Sequence, residues 1–146
     1  MLIVFPLGLL ATAGIFDGIG LALNRPPWFM TSFYMMAAGI MGGLIAAVFG
    51  LIDFLPIPQG TRARTIGLLH GIGNVVVVAL FIISWLLRYP HPEIPGTLAY
   101  VCSFAGAALA MVTGWMGGEL VDRLGIGVDP GANVNAPSSL SGQARR

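Results

Sequence analysis

Four long apolar runs, separated by short polar connections, fill most of this chain. Each run holds roughly the 20 residues that an α-helix needs to cross a bilayer. We predict helices at about 2–23, 29–55, 65–87 and 97–121. The runs are continuously apolar rather than alternating at every second residue, so the pattern excludes the strands of a membrane barrel.

The connections predict how these helices are arranged. Proline marks all three of them, at 24–28, 56–60 and 88–96, and glycine ends the second and third. Because connections this short make consecutive helices antiparallel neighbours, we predict an all-α membrane protein, a four-transmembrane-helix antiparallel bundle. We assign residues 1–124 to this transmembrane domain and residues 125–146 to a flexible, polar C-terminal tail.

Composition agrees with membrane insertion and suggests an orientation. Of the 146 residues 56% are hydrophobic and only 9% are charged, far below the roughly 25% of soluble domains. There is no lysine, and the side that carries both termini holds most of the arginines: Arg62, Arg64, Arg123, Arg145 and Arg146. The other side has only Arg25 and Arg88. By the positive-inside rule we expect a multi-pass protein of the bacterial cytoplasmic (inner) membrane with both termini cytoplasmic.

A few ionisable side chains fall inside or at the ends of the apolar runs, and they are the candidate site residues. At 1.5 Å rise per residue, Asp53, His70, Asn74 and Glu119 reach one level near the cytoplasmic face, where we predict an intramembrane polar cluster. Charges inside a membrane are costly and usually face the bundle interior or a ligand.

Asp17 stands apart from this cluster, about two thirds of the way across the membrane. No cation is expected at its depth, so we predict an unpaired intramembrane acid, either neutral or hydrogen-bonded to Thr12, Ser84 or Tyr100. Glu119 and Arg123 are spaced i, i+4 and are expected to pair on one helix face. For Asp53 we expect a partner across the short loop, Arg62 or Arg64.

His70 has two interpretations. Imidazole suits a haem axial ligand, a metal ligand, a proton relay or a quinone contact, which makes His70 the candidate cofactor-binding residue, with haem b or a quinone as the cofactor. The alternative is a structural histidine, bonded to Asp53, Glu119 or a backbone carbonyl. His91 and Cys102 belong to the opposite side and do not readily supply a second haem ligand. No spacing typical of a metal site is present, and we predict no metal.

Small residues at helical spacing predict close helix packing. The candidate packing positions on the second and fourth helices are Gly39, Gly43, Gly50, Gly106, Gly114 and Gly118. Such stripes let helix backbones approach closely, either within one chain or between chains. We expect the helices to contact the lipid bilayer. If the stripes pack between chains, the protein forms a homo-oligomer or belongs to a larger membrane complex.

Several short motifs occur in order along the chain: Phe5-Pro6-Leu7-Gly8-Leu9 followed by Asp17, Gly50 to Asp53, Thr61 to Arg64 with His70 and Asn74, Gly117 to Val121, and Gly125 to Val128. In order and spacing these motifs resemble an uncharacterised bacterial membrane family, domain of unknown function 2231 (DUF2231). The resemblance implies a four-helix membrane protein. Family members in which the domain is joined to Rieske iron-sulfur or cytochrome-type domains imply a redox setting.

Two departures from the family pattern concern histidine. Members usually carry a His-Pro pair just before the segment that here begins at Met1, and many have histidine where this chain has Leu124. Of three histidines that meet near the cytoplasmic face in such relatives, this chain has only His70. Because the first helix begins almost at Met1 without a polar flank, a start upstream of Met1 is left open.

The function hypotheses start from the motifs that the sequence lacks. There is no P-loop, Gly-x-Ser-x-Gly motif, HExxH motif or basic nucleic-acid patch, so we predict that the protein is not an enzyme and has no nucleic-acid partner. The leading hypothesis is a non-catalytic accessory or assembly subunit of a membrane complex, in a redox setting. The alternatives are a redox module in which His70 contacts haem b or a quinone, and a proton-coupled carrier that uses Asp17 and His70.

Overall fold

A computed structural model describes residues 3–138 and 141. Four α-helices account for most of them: α1 Val4–Leu23, α2 Pro26–Phe54, α3 Arg62–Arg88 and α4 Thr97–Gly118. All four are long and apolar enough to cross a membrane, so the predicted all-α four-helix bundle is confirmed. Leu2, the predicted start of the first helix, and Arg145 and Arg146 at the end of the predicted tail lie outside the described residues.

The helices begin and end close to the predicted positions, and local chemistry explains the differences. α2 starts at Pro26, earlier than predicted, because proline fits the first helical position, where its missing N–H costs nothing. α3 starts at Arg62, since the Thr61 hydroxyl caps it by accepting from the Arg64 backbone N–H at 3.2 Å. α4 continues as one π-helical turn, Glu119–Arg123.

Arg64 closes the connection between α2 and α3. Its guanidinium donates to the backbone carbonyls of Phe54, Leu55 and Ile57, at 3.2, 3.3 and 3.0 Å. The same group lies 4.1 Å from the centre of the Phe54 ring. These carbonyls lie at the end of α2 and just beyond it, where no N–H of the helix can bond to them. One arginine side chain of α3 bonds to all three and so holds the two helices side by side.

The helices form two hairpins that pack against each other. Contacts within the pairs α1–α2 and α3–α4 are more extensive than those of α2–α3 or α1–α4. The apolar core lies at the middle of the bundle and consists of Leu10, Ala13, Met36, Ile40, Val77, Phe81 and Ala110. Two glycines let the helices approach there: a Cβ on Gly39 would lie 2.7 Å from Leu10, and one on Gly106 would lie 3.0 Å from Phe81.

Helix α3 shows how the core is continued at both ends of the bundle. Its inward face follows a 4-3-4-3-4 spacing and carries His70, Asn74, Val77, Phe81, Ser84 and Arg88. This spacing keeps one seam of a helix against its neighbours. The seam is polar at both ends and apolar in the middle. We refer to the end of the bundle where α3 begins as the Arg62 end, and to the opposite end as the Arg88 end.

Candidate functional site

A fully buried ion pair joins α1 and α3 toward the Arg88 end. Nη1 of Arg88 lies 2.8 Å from Oδ1 of Asp17, and Nη2 lies 3.1 Å from Oδ2. Both side chains have 0% exposure. The two parallel hydrogen bonds form the fork that a guanidinium makes with a carboxylate, which fixes orientation as well as distance.

Three buried serines complete the site, so that all four helices contribute to it. Ser84 accepts from Nη2 of Arg88 at 2.9 Å, and Ser32 accepts from Nη1 at 3.5 Å. Ser103 donates to Oδ2 of Asp17 at 2.8 Å. We call this group the four-helix clamp: Asp17 of α1, Ser32 of α2, Ser84 and Arg88 of α3, and Ser103 of α4.

Each polar side-chain atom of the clamp has a hydrogen-bond partner. Nε of Arg88 donates to the Ser84 carbonyl at 3.3 Å, so all five N–H groups of the guanidinium have an acceptor. Ser32 donates to the Ala13 carbonyl at 2.9 Å, and Ser84 to the Ala99 carbonyl at 2.7 Å. A buried charge is tolerated when it is paired and hydrogen-bonded in this way.

The prediction that Asp17 is unpaired is wrong, and the reason lies in side-chain direction. Arg88 is the last residue of α3, so its backbone lies near the helix end. Side chains on a helix point back toward its N-terminus. The Arg88 guanidinium therefore returns one turn into the bundle, to the level of Ser84, where it meets Asp17. Ser84 and Arg88 at i, i+4 on the seam of α3 are the sequence signal that could have revealed the pair.

His70 forms a second, smaller polar group toward the Arg62 end. Its Nδ1 lies 2.8 Å from the Thr113 carbonyl of α4, and its Nε2 lies 3.0 Å from Nδ2 of Asn74. Because a carbonyl oxygen only accepts, Nδ1 carries the proton and donates. Nε2 then accepts from the Asn74 amide, so both ring nitrogens are engaged. Of the three partners expected for a structural His70, the backbone carbonyl is the one that it contacts among the described residues.

Gly117 gives the imidazole its place against α4. A Cβ there would lie 3.1 Å from Cε1 of His70, which is tighter than ordinary van der Waals contact. Replacement by alanine therefore requires the ring to move. In the sequence Gly117 stands out only as part of a family motif, and its contact with His70 is visible only in the structure.

Glu119 pairs with arginine rather than with His70. Its Oε1 accepts from Nη2 of Arg62 at 2.6 Å, and its Oε2 lies 3.7 Å from Nε of Arg123, as the i, i+4 spacing predicted. The side chains of Arg62 and Arg123 are 60% and 77% exposed, whereas Glu119 is 11% exposed. This is a surface network beside the His70 group.

The prediction that Asp53 belongs to the polar cluster is wrong. Asp53 is exposed, and no hydrogen bond or ion pair involves it within 3–138. Its neighbour Phe54 faces Gly67 of α3, where a Cβ would lie 3.0 Å from the ring. Because successive residues of a helix are rotated by about 100°, Asp53 faces away from that contact. Its expected partners are occupied, Arg62 by Glu119 and Arg64 by backbone carbonyls.

The predicted packing glycines divide into two sets. Gly39, Gly43 and Gly106 lie at contacts between helices of this chain. Gly50 and Gly114 have open space where a Cβ would be, and Gly118 approaches only Asp122 of its own turn, at 4.0 Å. The second set therefore does not serve packing between the helices described here.

An apolar layer separates the four-helix clamp from the His70 group. Leu10, Met36, Val77, Phe81 and Ala110 fill the bundle between them and are all buried. Ser84 follows His70 by 14 residues of α3, which corresponds to about 21 Å along the axis. The structure does not bring together Asp17 and His70, the two residues of the carrier hypothesis. Within 3–138 no group of three or more histidine, cysteine and acidic side chains is placed to hold a metal ion.

Comparison with known proteins identifies a family and nothing narrower. The family model described as "Predicted membrane protein (DUF2231)" matches residues 1–130. No curated protein and no solved structure matches the chain significantly. The match, together with four apolar helices, makes this a multi-pass membrane protein whose helices contact the lipid bilayer.

Proposed function

The chain belongs to the DUF2231 family of predicted membrane proteins, and from this premise we propose that it is a non-catalytic accessory or assembly subunit of a membrane complex. We place it in a bacterial cytoplasmic membrane with both termini inside. Arg88 is withdrawn into the bundle and paired with Asp17, which leaves Arg25 as the only arginine of the outer side that faces water. That strengthens the arginine asymmetry on which the orientation depends.

The observation that carries the proposal is a set of outward-facing glycines near the Arg62 end. At this end each helix has one at which an added Cβ would meet nothing within 4 Å: Gly8, Gly50, Gly71 and Gly114; Gly18, toward the Arg88 end of α1, is a further one. Glycine inside a helix costs about 1 kcal/mol relative to alanine. Because no packing within the chain requires these four, contact with a helix of another protein accounts for them, since small residues let membrane helices approach closely.

The interior supports a structural role. The intramembrane charges of the clamp and both ring nitrogens of His70 are satisfied within the chain. The apolar layer interrupts any polar route between them. A carrier needs such a route or a movable gate, so this arrangement argues against the proton-coupled alternative.

The proposal is tested by particle size in mild detergent. We expect tagged full-length protein, extracted from its native membrane with digitonin, to run on native gels as a particle larger than the 15.3 kDa chain in its micelle. The double variant Gly50→Leu/Gly114→Leu should shift it to the monomer. The matched control is Ala105→Leu, which adds bulk at an exposed alanine of α4 outside the glycine set. A wild-type monomer, or a particle indifferent to the glycines, would contradict the proposal.

One observation favours a second function, a redox module that uses His70. A ligating histidine commonly donates its other ring N–H to a carbonyl, as Nδ1 does here to Thr113. Asn74 occupies the remaining nitrogen, and His91 and Cys102 lie toward the Arg88 end, so the residues do not fit a haem held by two histidines or by a histidine and a cysteine. An absorption spectrum of the reduced protein and a quinone extraction decide: a Soret band, or a bound quinone, that is lost in His70→Leu establishes the redox module.

A further inference from the structure

A surface cavity of about 420 Å³ opens at the Arg88 end, and no residue of the four-helix clamp or of the His70 group is part of its lining. The end of α1, the starts of α2 and α4, and the loop between α3 and α4 line it: Leu21, Asn24, Pro26, Phe29, Glu93, Ile94 and Tyr100. The volume falls within the range of small-molecule sites. The other cavity described, about 220 Å³ beside Glu119 and Arg123, is smaller and lies against the ion-pair network already assigned.

Glu93 gives this cavity its charge. It is the only Asp, Glu, Lys, Arg or His side chain among the lining residues, and it is partly buried. No hydrogen bond or ion pair involves Glu93 within the described ranges. Arg25 lies between two lining residues in the sequence, but it is exposed and is not part of the lining. A half-buried carboxylate without a partner favours a cation as its counter-charge.

Two aromatic rings form part of the wall. Phe29 and Tyr100 lie with their centroids 5.6 Å apart at an interplanar angle of 55°. Tyr100 already lies 5.8 Å from the guanidinium carbon of Arg88, whose charge Asp17 balances. Aromatic walls beside a carboxylate are suited to an organic ammonium ion, because the rings attract the cation and contact its alkyl groups.

We propose that this cavity, with Glu93 as counter-ion and Phe29 and Tyr100 as wall, binds an alkylammonium group. The group has two natural sources at a membrane surface, a free amine in the water and the ammonium of a phosphatidylethanolamine headgroup. The shared chemistry is a positive nitrogen on a short alkyl chain. A site for such a ligand is independent of the accessory role, which depends on the opposite end of the bundle.

The test is calorimetric titration of the purified full-length protein with n-butylammonium chloride, with n-butanol as the uncharged comparison. We expect saturable binding of the ammonium and binding at least about tenfold weaker for the alcohol, which is about 1.4 kcal/mol. Glu93→Gln should weaken binding of the ammonium by a similar factor. The thermal midpoint should not change, since no hydrogen bond or ion pair of Glu93 holds the fold within the described ranges. The control is Asp53→Asn, an exposed carboxylate at the other end, which should bind as wild type does.

Equal binding of ammonium and alcohol, or an unchanged affinity in Glu93→Gln, would overturn the proposal. Repeating the titration in nanodiscs separates the two sources. If phosphatidylethanolamine occupies the site, n-butylammonium binds more weakly in discs that contain it than in discs of phosphatidylglycerol alone. If the two discs give the same affinity, the ligand is an amine from the water.

Discussion

The two polar ends of the α3 seam differ in how completely the chain encloses them. At the Arg88 end, a bidentate ion pair with 0% exposure is part of a hydrogen-bond network to which all four helices contribute a residue. At the Arg62 end, His70 is partly buried and bonds only to α3 and α4, and the neighbouring ion pair has an arginine that is 60% exposed. The comparison teaches that burial and the number of helices engaged, rather than charge alone, decide which polar group stabilises the bundle.

The largest effect is expected from breaking the enclosed end. Arg88→Leu removes one partner and leaves the Asp17 carboxylate buried without its cation, which costs about 3 to 5 kcal/mol in comparable pairs. We expect a much lower thermal midpoint in detergent micelles, or failure to accumulate in the membrane. Arg25→Leu, which removes an exposed arginine at the same end, is the control and should change little. Equal stability of the two variants would contradict the stabilising role assigned to the buried pair.

A smaller effect is expected from the His70 group. His70→Leu removes two hydrogen bonds between or within two helices, and such bonds in membrane proteins average about 0.6 kcal/mol each. The loss should therefore be about 1 kcal/mol, measured by the same thermal unfolding. Asn74→Leu removes only one of the two and should cost about half as much. A loss as large as that of Arg88→Leu would show that this end also holds the bundle together.

The architecture was predicted well from the sequence because a membrane-spanning helix requires a long, continuously apolar run, which is visible in the sequence itself. Continuous apolar runs and proline-marked connections located all four helices, and His70 with its carbonyl partner was anticipated. The clamp was not anticipated, because depth was counted from backbone positions. Arg88 belongs to the helix end by its backbone and to the interior by its side chain.

The Asp53 error has a different physical cause. Depth along the helix axis correctly places Asp53 near the Arg62 end. Depth does not determine the direction in which a side chain faces. The contact of Phe54 with Gly67 fixes that direction, and it is a contact between helices that periodicity within one helix does not reveal.

The smallest effect is expected from the surface ion pair. Arg62→Gln removes the 2.6 Å contact with Glu119, yet exposed pairs contribute at most about 1 kcal/mol and are screened by salt. We expect a slight fall in the thermal midpoint at low ionic strength that vanishes in high salt. A salt-independent loss would contradict the assignment of this ion pair to the exposed surface.

The central claim is that Asp17 and Arg88 stabilise the bundle as a pair, and a double-mutant cycle tests it most directly. The four proteins are wild type, Asp17→Asn, Arg88→Gln and the combined variant, compared by their free energies of unfolding in one detergent. Residues in one buried network show coupling energies of about 0.5 to 3 kcal/mol. We predict a coupling energy at the upper end of this range. The combined variant should lose less free energy of unfolding than the two single losses added together. Additive losses would contradict it.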